Sequence, residues 1–390
     1  MKMTTMKAGP SFYRDTWADI DMDAVEENVA ALRSHLPEKT GIMAVVKADG
    51  YGHGAVHTAK AALRAGADQL AVAMLDEALE LRQAGMTAPI LVMGYSRPED
   101  AAAAAAYDIT LTAYAEAWLD ALALDGIVDV HVKLDSGMNR LGLKQVGEIR
   151  SFGRKAAAHD SVRVTGAFTH FAASDEKDLS FTREQLEQFT FQRKTLEETT
   201  GTLDSIHAAN SAAAMRVDEA ALNTVRFGIS MYGLNPSAEI QSDLPFPLKR
   251  AFTLKSRVTH CKHLQRGETV SYGRSYKAER DMWTATVPIG YADGWIRAHQ
   301  DGDVLINGRR ARIIGRICMD QMMIEVEEPV ETGEEVVLIG RQGGEEITMD
   351  EVAGRVDTIS YEVPCIISSR VPRVILINGE QVEVRSRFTF

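Results

Sequence analysis

The sequence predicts a (β/α)8 barrel of the TIM type followed by an all-β domain. Three observations carry this. From Gly41 to Gly233, short apolar runs alternate with amphipathic, Ala/Leu/Glu-rich stretches, about eight times over. Past Pro236 the pattern changes to β-branched alternation broken by turn residues. No Gly-x-Gly-x-x-Gly follows a strand, which disfavours the doubly wound open sheet, the nearest competing architecture.

The apolar runs fall at residues 42–46, 70–73, 90–93, 109–112, 128–134, 164–169, 205–208 and 224–228. Continuous apolarity marks strands buried on both faces, as barrel strands are. Helical patterns lie between them at 76–83, 99–106, 115–124 and 183–198. The stretch 17–22 is one strand too many for an eight-stranded ring, and residues 11–22 are expected to pair with the β domain. Residues 237–247, just after Pro236 and containing Pro245 and Pro247, read as a linker. The expected division is therefore 1–240 and 241–390. In the second part, strands are expected at 254–260, 285–288, 304–306, 312–317, 322–326, 336–339 and 373–377, with turns at Asn307-Gly308 and Thr332-Gly333 and one helix at 350–356.

Composition narrows the function. A formal charge of −12 over 390 residues argues against nucleic acid and anionic membrane surfaces. No apolar run reaches transmembrane length. Residues 1–10 are polar, without a signal-peptide core, and the expected location is the cytoplasm. Cys261, Cys318 and Cys365 are odd in number and scattered, so no disulfide framework is expected. His260, Cys261 and His263 lack complementary ligands, and no metal is expected.

Chemistry concentrates at strand ends. Lys47 closes the first apolar run and is followed by glycines at 50, 52 and 54 with Tyr51 among them. In barrels the active site lies at that C-terminal edge. A partly desolvated lysine there favours the neutral amine, which attacks carbonyls to form Schiff bases. The fifth run carries Lys133, with Asp135 to Arg140 after it; Thr169-His170 ends the sixth, Asn210-Ser211 follows the seventh, and the eighth contains Arg226 to Gly228. Ser211 and the Gly228-Ile229-Ser230 turn offer a hydroxyl and backbone N–H groups where barrels bind phosphate. A Schiff-base lysine beside a phosphate cradle points to pyridoxal phosphate.

Four long motifs, in order, carry a resemblance: Ala44-Val45-Val46-Lys47-Ala48-Asp49-Gly50-Tyr51-Gly52-His53-Gly54, Val225-Arg226-Phe227-Gly228-Ile229-Ser230-Met231-Tyr232-Gly233, Val270-Ser271-Tyr272-Gly273 and Gly315-Arg316-Ile317-Cys318-Met319-Asp320-Gln321. With the runs 288–294 and 359–364, the chain resembles the alanine racemase family over nearly its whole length. Two departures stand out: Asp49-Gly50 where the family usually has Asn-Ala, and Asn139 where it usually has glycine.

The resemblance implies a pyridoxal phosphate-dependent homodimer that interconverts L- and D-alanine by two-base proton transfer and supplies D-alanine for peptidoglycan. It implies that Lys47 holds the cofactor and that Tyr272, given across the dimer interface, is the second base. Tyr51, Asn210, Ser211, Gly228, Ile229 and Tyr361 resemble the cofactor's phosphate side. Arg226 resembles the group facing the pyridine nitrogen, linked through His170 to Tyr272. Arg140 and the partner's Met319 backbone resemble the substrate-carboxylate grip, and Lys133 the carbamylated lysine that orients Arg140. Tyr291, Arg316 and Tyr361 resemble an entrance gate. Taken singly, Tyr272 reads as a packed strand residue, Met319 and Cys318 as core filler, His170 as a satisfied buried histidine, Arg140 as a solvated loop arginine, and Lys133 as a partner of Asp135. Barrel-fold decarboxylases carry an acid at the pyridine nitrogen and a glycine triplet, both absent here. Single-barrel cofactor carriers lack a β domain, and broad-specificity racemases share the machinery but often carry export signals.

Overall fold

The computed structural model describes residues 12–388, so the polar stretch 1–10 and residue 11 of the pairing segment lie outside the described residues. The chain forms two compact units: Ala24–Arg250, and the segment up to Asp23 together with the chain from Ala251 onward. The division falls at Arg250, later than the expected 240. Residues 237–247 are no free linker. Ile240 is fully buried, Ser237 Oγ donates to the Asp175 carbonyl at 2.5 Å, and Asp243 lies 3.9 Å from Arg216, all inside the first unit.

Strand β1 is Thr16–Asp21. Eight parallel strands then build the barrel: β2 (Gly41–Val45), β3 (Gln69–Val72), β4 (Ile90–Val92), β5 (Ile109–Ala113), β6 (Val128–Lys133), β7 (Val162–Phe168), β8 (Ser205–His207) and β9 (Thr224–Phe227). Their spatial order runs from β8 down to β2 and on to β9. Backbone and side chain bridge the seam between β9 and β8: Arg226 N–H donates to the Ala209 carbonyl at 3.0 Å, and Asn223 bonds both Ile206 N–H and the Asp204 carbonyl. The expected eight-stranded barrel is thus what these residues form. Its strands read as apolar runs because both faces are covered. The helix Val146–Ala157 shows how the cover is made, burying Ile149, Phe152, Gly153 and Ala156 at helical spacing.

The second unit is all-β, as expected. Its strands are β10 (Phe252–Arg257), β11 (His260–Leu264), β12 (Thr269–Val270), β13 (Tyr276–Lys277), β14 (Met282–Val287), β15 (Asp303–Ile306), β16 (Arg309–Ile314), β17 (Met322–Val326), β18 (Glu335–Gln342), β19 (Glu345–Ile347), β20 (Arg373–Ile377) and β21 (Glu380–Arg385). The main sheet runs β11-β14-β17-β16-β15-β18-β10-β1-β20-β21, with β19 on β18, while β12 and β13 pair separately. Strand β1 lies antiparallel to β10 and parallel to β20. Besides the helix Met349–Gly354, a second short helix, Glu362–Ile366, was not legible. Pro364 in its sequence argues for a break, yet proline is tolerated in a first helical turn.

Candidate active site

Strand β2 delivers Lys47 to the barrel mouth, but the turn after it is not an ordinary glycine loop. Ala48, Asp49, Gly50 and Tyr51 all take left-handed dihedrals, with φ of 53°, 50°, 61° and 51°. Such backbone costs roughly 1–2 kcal/mol for each non-glycine residue, so the surroundings must enforce it. They do: Gly50 N–H and Gly52 N–H donate to the Val46 and Ala48 carbonyls, Ala48 N–H to Glu77 Oε1 at 2.6 Å, and Ala55 N–H to Asp49 Oδ1 at 2.8 Å. Asp49 therefore anchors the following helix, and glycine at 50 removes one strained Cβ. The turn swings Tyr51 back so that Lys47 Nζ lies 5.9 Å from its ring centroid. Tyr51 in turn packs on Tyr232 at 5.0 Å between centroids, and Tyr232 donates its hydroxyl to the Val45 carbonyl at 3.0 Å.

Opposite this turn, Gly228 N–H donates to Ser211 Oγ at 2.9 Å. A Cβ on Gly228 would sit 3.0 Å from the Tyr51 hydroxyl, so only glycine leaves that space open. Asn210 Oδ1 caps the helix Ser211–Arg216 by accepting from Ala213 N–H, and is itself held by the Ser174 hydroxyl. Two hydroxyls and the Gly228 turn thus converge on one small cradle.

Arg226 is buried, with 2% of its surface exposed. Its guanidinium donates to the carbonyls of Thr169, His207 and Ala208, and to His207 Nδ1 at 2.7 Å and His170 Nδ1 at 3.2 Å. A guanidinium only donates, so both ring nitrogens must be acceptors. His170 is then left with Nε2–H to give. His207 Nε2–H donates to His131 Nδ1 at 3.0 Å, which fixes that tautomer too. Burial pushes Arg226 down to about 9, still charged at neutral pH, and holds His131 at about 4. Burial first, then Arg226, keeps His170 and His207 well below the usual histidine value. All three imidazoles are therefore neutral.

Lys133 is buried, its Nζ 4.2 Å from the Phe168 ring centroid. Burial, followed by Arg226 and Arg140, holds its pKa well below the usual lysine value. Asp135 opposes that shift, while its Oδ1 accepts from Gly137 N–H and Asn139 N–H at 3.0 Å each. Asn139 has φ 55°, a left-handed position that asparagine tolerates and glycine fills freely. Its carboxamide bonds Lys144 and the Gly137 carbonyl, bracing the loop that carries exposed Arg140.

In the β unit the remaining candidates share one cluster of loops. Tyr272 lies on a turn where Ser271, Gly273 and Arg274 have φ of 68°, 70° and 51°. Ser271 Oγ donates to the Arg316 carbonyl at 2.6 Å, and Arg316 packs over Gly273. Tyr291 N–H donates to the Cys318 carbonyl at 3.1 Å and Ala292 N–H to that of Met319 at 3.0 Å. Tyr272 is 72% and Met319 53% exposed. Tyr361 stands half-buried at the start of the helix Glu362–Ile366. The His260/Cys261/His263 stretch lies on strand β11, with His263 edge-on to Trp283.

Sequence reasoning missed His131 and His207. The available signal was period: His131 is two residues from Lys133 on β6 and so shares its face.

Residues 20–236 match the family model for the alanine racemase N-terminal domain, and residues 251–375 that for the C-terminal domain. The chain is 50% identical over 382 residues to alanine racemase 1 of Bacillus subtilis, covering 96% of each chain, and 50% identical over 379 residues to the alanine racemase of Geobacillus stearothermophilus. The chain belongs to the alanine racemase family. Among solved structures, an alanine racemase from Bacillus anthracis with bound L-Ala-P superposes with a TM-score of 0.94 at 44% identity, covering 96% of this chain and 98% of that one. A histidine racemase from Leuconostoc mesenteroides superposes at 0.84 with 31% identity, over 95% of this chain and 99% of that one.

Alanine racemases are pyridoxal phosphate-dependent isomerases, and so is this chain. The residues present fit that cofactor. The absence of a Cβ at Gly228 keeps open the space beside the Tyr51 hydroxyl, the Gly228 N–H meets the Ser211 hydroxyl, and Lys47 and Arg226 supply an amine and a guanidinium for the ring. No helix among the described residues is long and apolar enough to cross a membrane.

Proposed function

We propose that this enzyme interconverts L- and D-alanine with two bases, Lys47 of one chain and Tyr272 of its partner, one on each face of Cα. The observation that carries the reading is Lys47 at the barrel mouth beside the Tyr51/Ser211/Gly228 cradle, in a chain half identical to proteins named alanine racemase. Bound pyridoxal phosphate withdraws electrons from Cα and so acidifies its hydrogen. Tyr51, Ser211, Tyr361 and the N–H groups of Gly228 and Ile229 would hold its phosphate, with Asn210 capping the helix that begins at Ser211. Arg226, still charged, would donate a hydrogen bond to the ring nitrogen while keeping its proton, which would moderate electron withdrawal and limit side reactions. Neutral His170, holding Nε2–H, would link Arg226 to the partner's tyrosine oxygen.

Lys47 takes or returns a proton on one face and Tyr272 on the other, so neither base crosses the plane. Arg140 and the Met319 peptide of the partner grip the substrate carboxylate. Lys133, kept neutral by burial, adds carbon dioxide: the amine nitrogen bonds the carbon, loses a proton, and leaves a carbamate anion that holds Arg140. Tyr291, Arg316 and Tyr361 line the entrance. The exposure of Tyr272 and Met319 supports a homodimer, because a base working in bulk water gains nothing from its position. In this reading the enzyme works in the cytoplasm, where its D-alanine feeds peptidoglycan synthesis.

The histidine racemase neighbour makes a wider amino-acid range the second reading. Purified enzyme given L-alanine, L-serine, L-histidine and L-lysine separates the two. Alanine should racemise fastest by kcat/KM; a higher value for another amino acid, with alanine inert, would overturn the assignment.

A further inference from the structure

Asp293 lies outside the roles assigned above, yet it is fully buried and ion-paired with two arginines of the β unit. Arg14 clamps its carboxylate with both terminal nitrogens. Arg370 Nε approaches Oδ1 at 3.5 Å and sends Nη2 to Asp320 at 2.7 Å, so two cations face two anions. Arg14 also donates to the Pro288 carbonyl at 3.0 Å. The other Asp293 oxygen accepts Gly290 N–H at 3.0 Å, and its backbone carbonyl accepts Ser368 N–H at 2.9 Å.

Gly290 opens the turn that Asp293 closes, and it is pressed against the loop bearing Met319. A Cβ there would fall 2.3 Å from the Cys318 carbonyl oxygen and 2.5 Å from the Met319 carbonyl. The next two N–H groups, of Tyr291 and Ala292, donate to those two carbonyls. A buried carboxylate thus holds the turn, and the turn holds both peptides flanking the Met319 Cα as well as the backbone of Tyr291.

We infer that Asp293, clamped by Arg14 and Arg370, is a positioning residue for the substrate carboxylate, acting through the 290–294 turn on the Met319 peptide. This rests on the proposed role of Met319 in gripping that carboxylate. Losing the clamp loosens the grip without touching the bases, so the effect falls on KM more than on kcat.

The test uses the dimeric holoenzyme with Asp293→Asn, and Arg370→Gln as the milder variant if a buried clamp without its charge fails to fold. Racemisation kinetics, inhibition by propionate and the visible spectrum of the bound cofactor are measured on each folded variant. The expected result is a rise of roughly tenfold in KM and in the propionate inhibition constant, with kcat within about threefold and the spectrum unchanged. Lower thermal stability with wild-type KM and propionate inhibition would make Asp293 merely structural and overturn the inference. Met319→Pro, which removes the N–H, separates the two claims. If it weakens propionate binding while Asp293→Asn does not, only the inference fails; if it leaves propionate binding intact, the Met319 reading fails instead.

Discussion

Lys133 is placed where an ammonium is hardest to keep: buried, over an aromatic ring, and close to two arginines. Converting it to an anion turns repulsion of Arg140 into attraction. Lys133→Ala should lower kcat/KM by at least ~10-fold, about 1.4 kcal/mol of transition-state stabilisation, and millimolar acetate should partly restore it. Absence of rescue, with an unmodified amine in electron density, would return Lys133 to an ordinary buried lysine. The histidines behind it give a second prediction. The unfolded chain takes up protons near the usual histidine value of 6.5, whereas folded His131 refuses one until about 4. Stability is therefore full above pH 6.5 and is lost as pH falls toward 4, by roughly 3 kcal/mol from His131 at most. Urea unfolding measured across that window should show the slope, and His131→Asn should flatten it; a slope unchanged in the variant would exclude His131 as its source. Lys47, Arg226 and Lys133 were legible because a charge ending an apolar run is conspicuous. His131 and His207 were not, because one histidine inside an apolar strand reads as packing until its partner two strands away is known.

At the scale of elements, the informative parts are the turns. The three glycines after Lys47 announce a tight turn, but nothing local announces that Ala48, Asp49 and Tyr51 share its left-handed backbone, since propensity opposes it. The strain is enforced by Glu77 and by the helix that Asp49 anchors, both set by tertiary structure. The same holds for Ser271 and Arg274 around Tyr272. Barrel-strand positions were legible to within two residues because parallel strands in a covered barrel are uniformly apolar, whereas several strands of the β unit lie three residues from their expected ends. The packing of residues 237–247 was hidden behind prolines that elsewhere mark linkers. The cradle yields a direct test. Gly228→Ala places a methyl 3.0 Å from the Tyr51 hydroxyl, in the space assigned to phosphate. Cofactor affinity, followed by absorbance titration, should fall by at least ~10-fold with the fold intact. Unchanged affinity would move the phosphate elsewhere.

At the scale of the molecule, the two candidate bases belong to different compact units. Lys47 is in the unit Ala24–Arg250, and Tyr272 is in the one that begins again at Ala251. The central claim is that a working site needs Lys47 from one chain and Tyr272 from another. Tyr272→Phe alone should lose roughly 10²–10⁴ in rate, the scale of general acid–base catalysis. The most direct measurement mixes Lys47→Ala and Tyr272→Phe chains in equal amounts and assays alanine racemisation after subunit exchange. Random pairing leaves half the dimers mixed, each with one intact and one doubly damaged site, so activity should return to about a quarter of wild type. Exchange demonstrated by differential labelling, with activity no higher than that of the two separate variants, would contradict the account and place both bases in one chain.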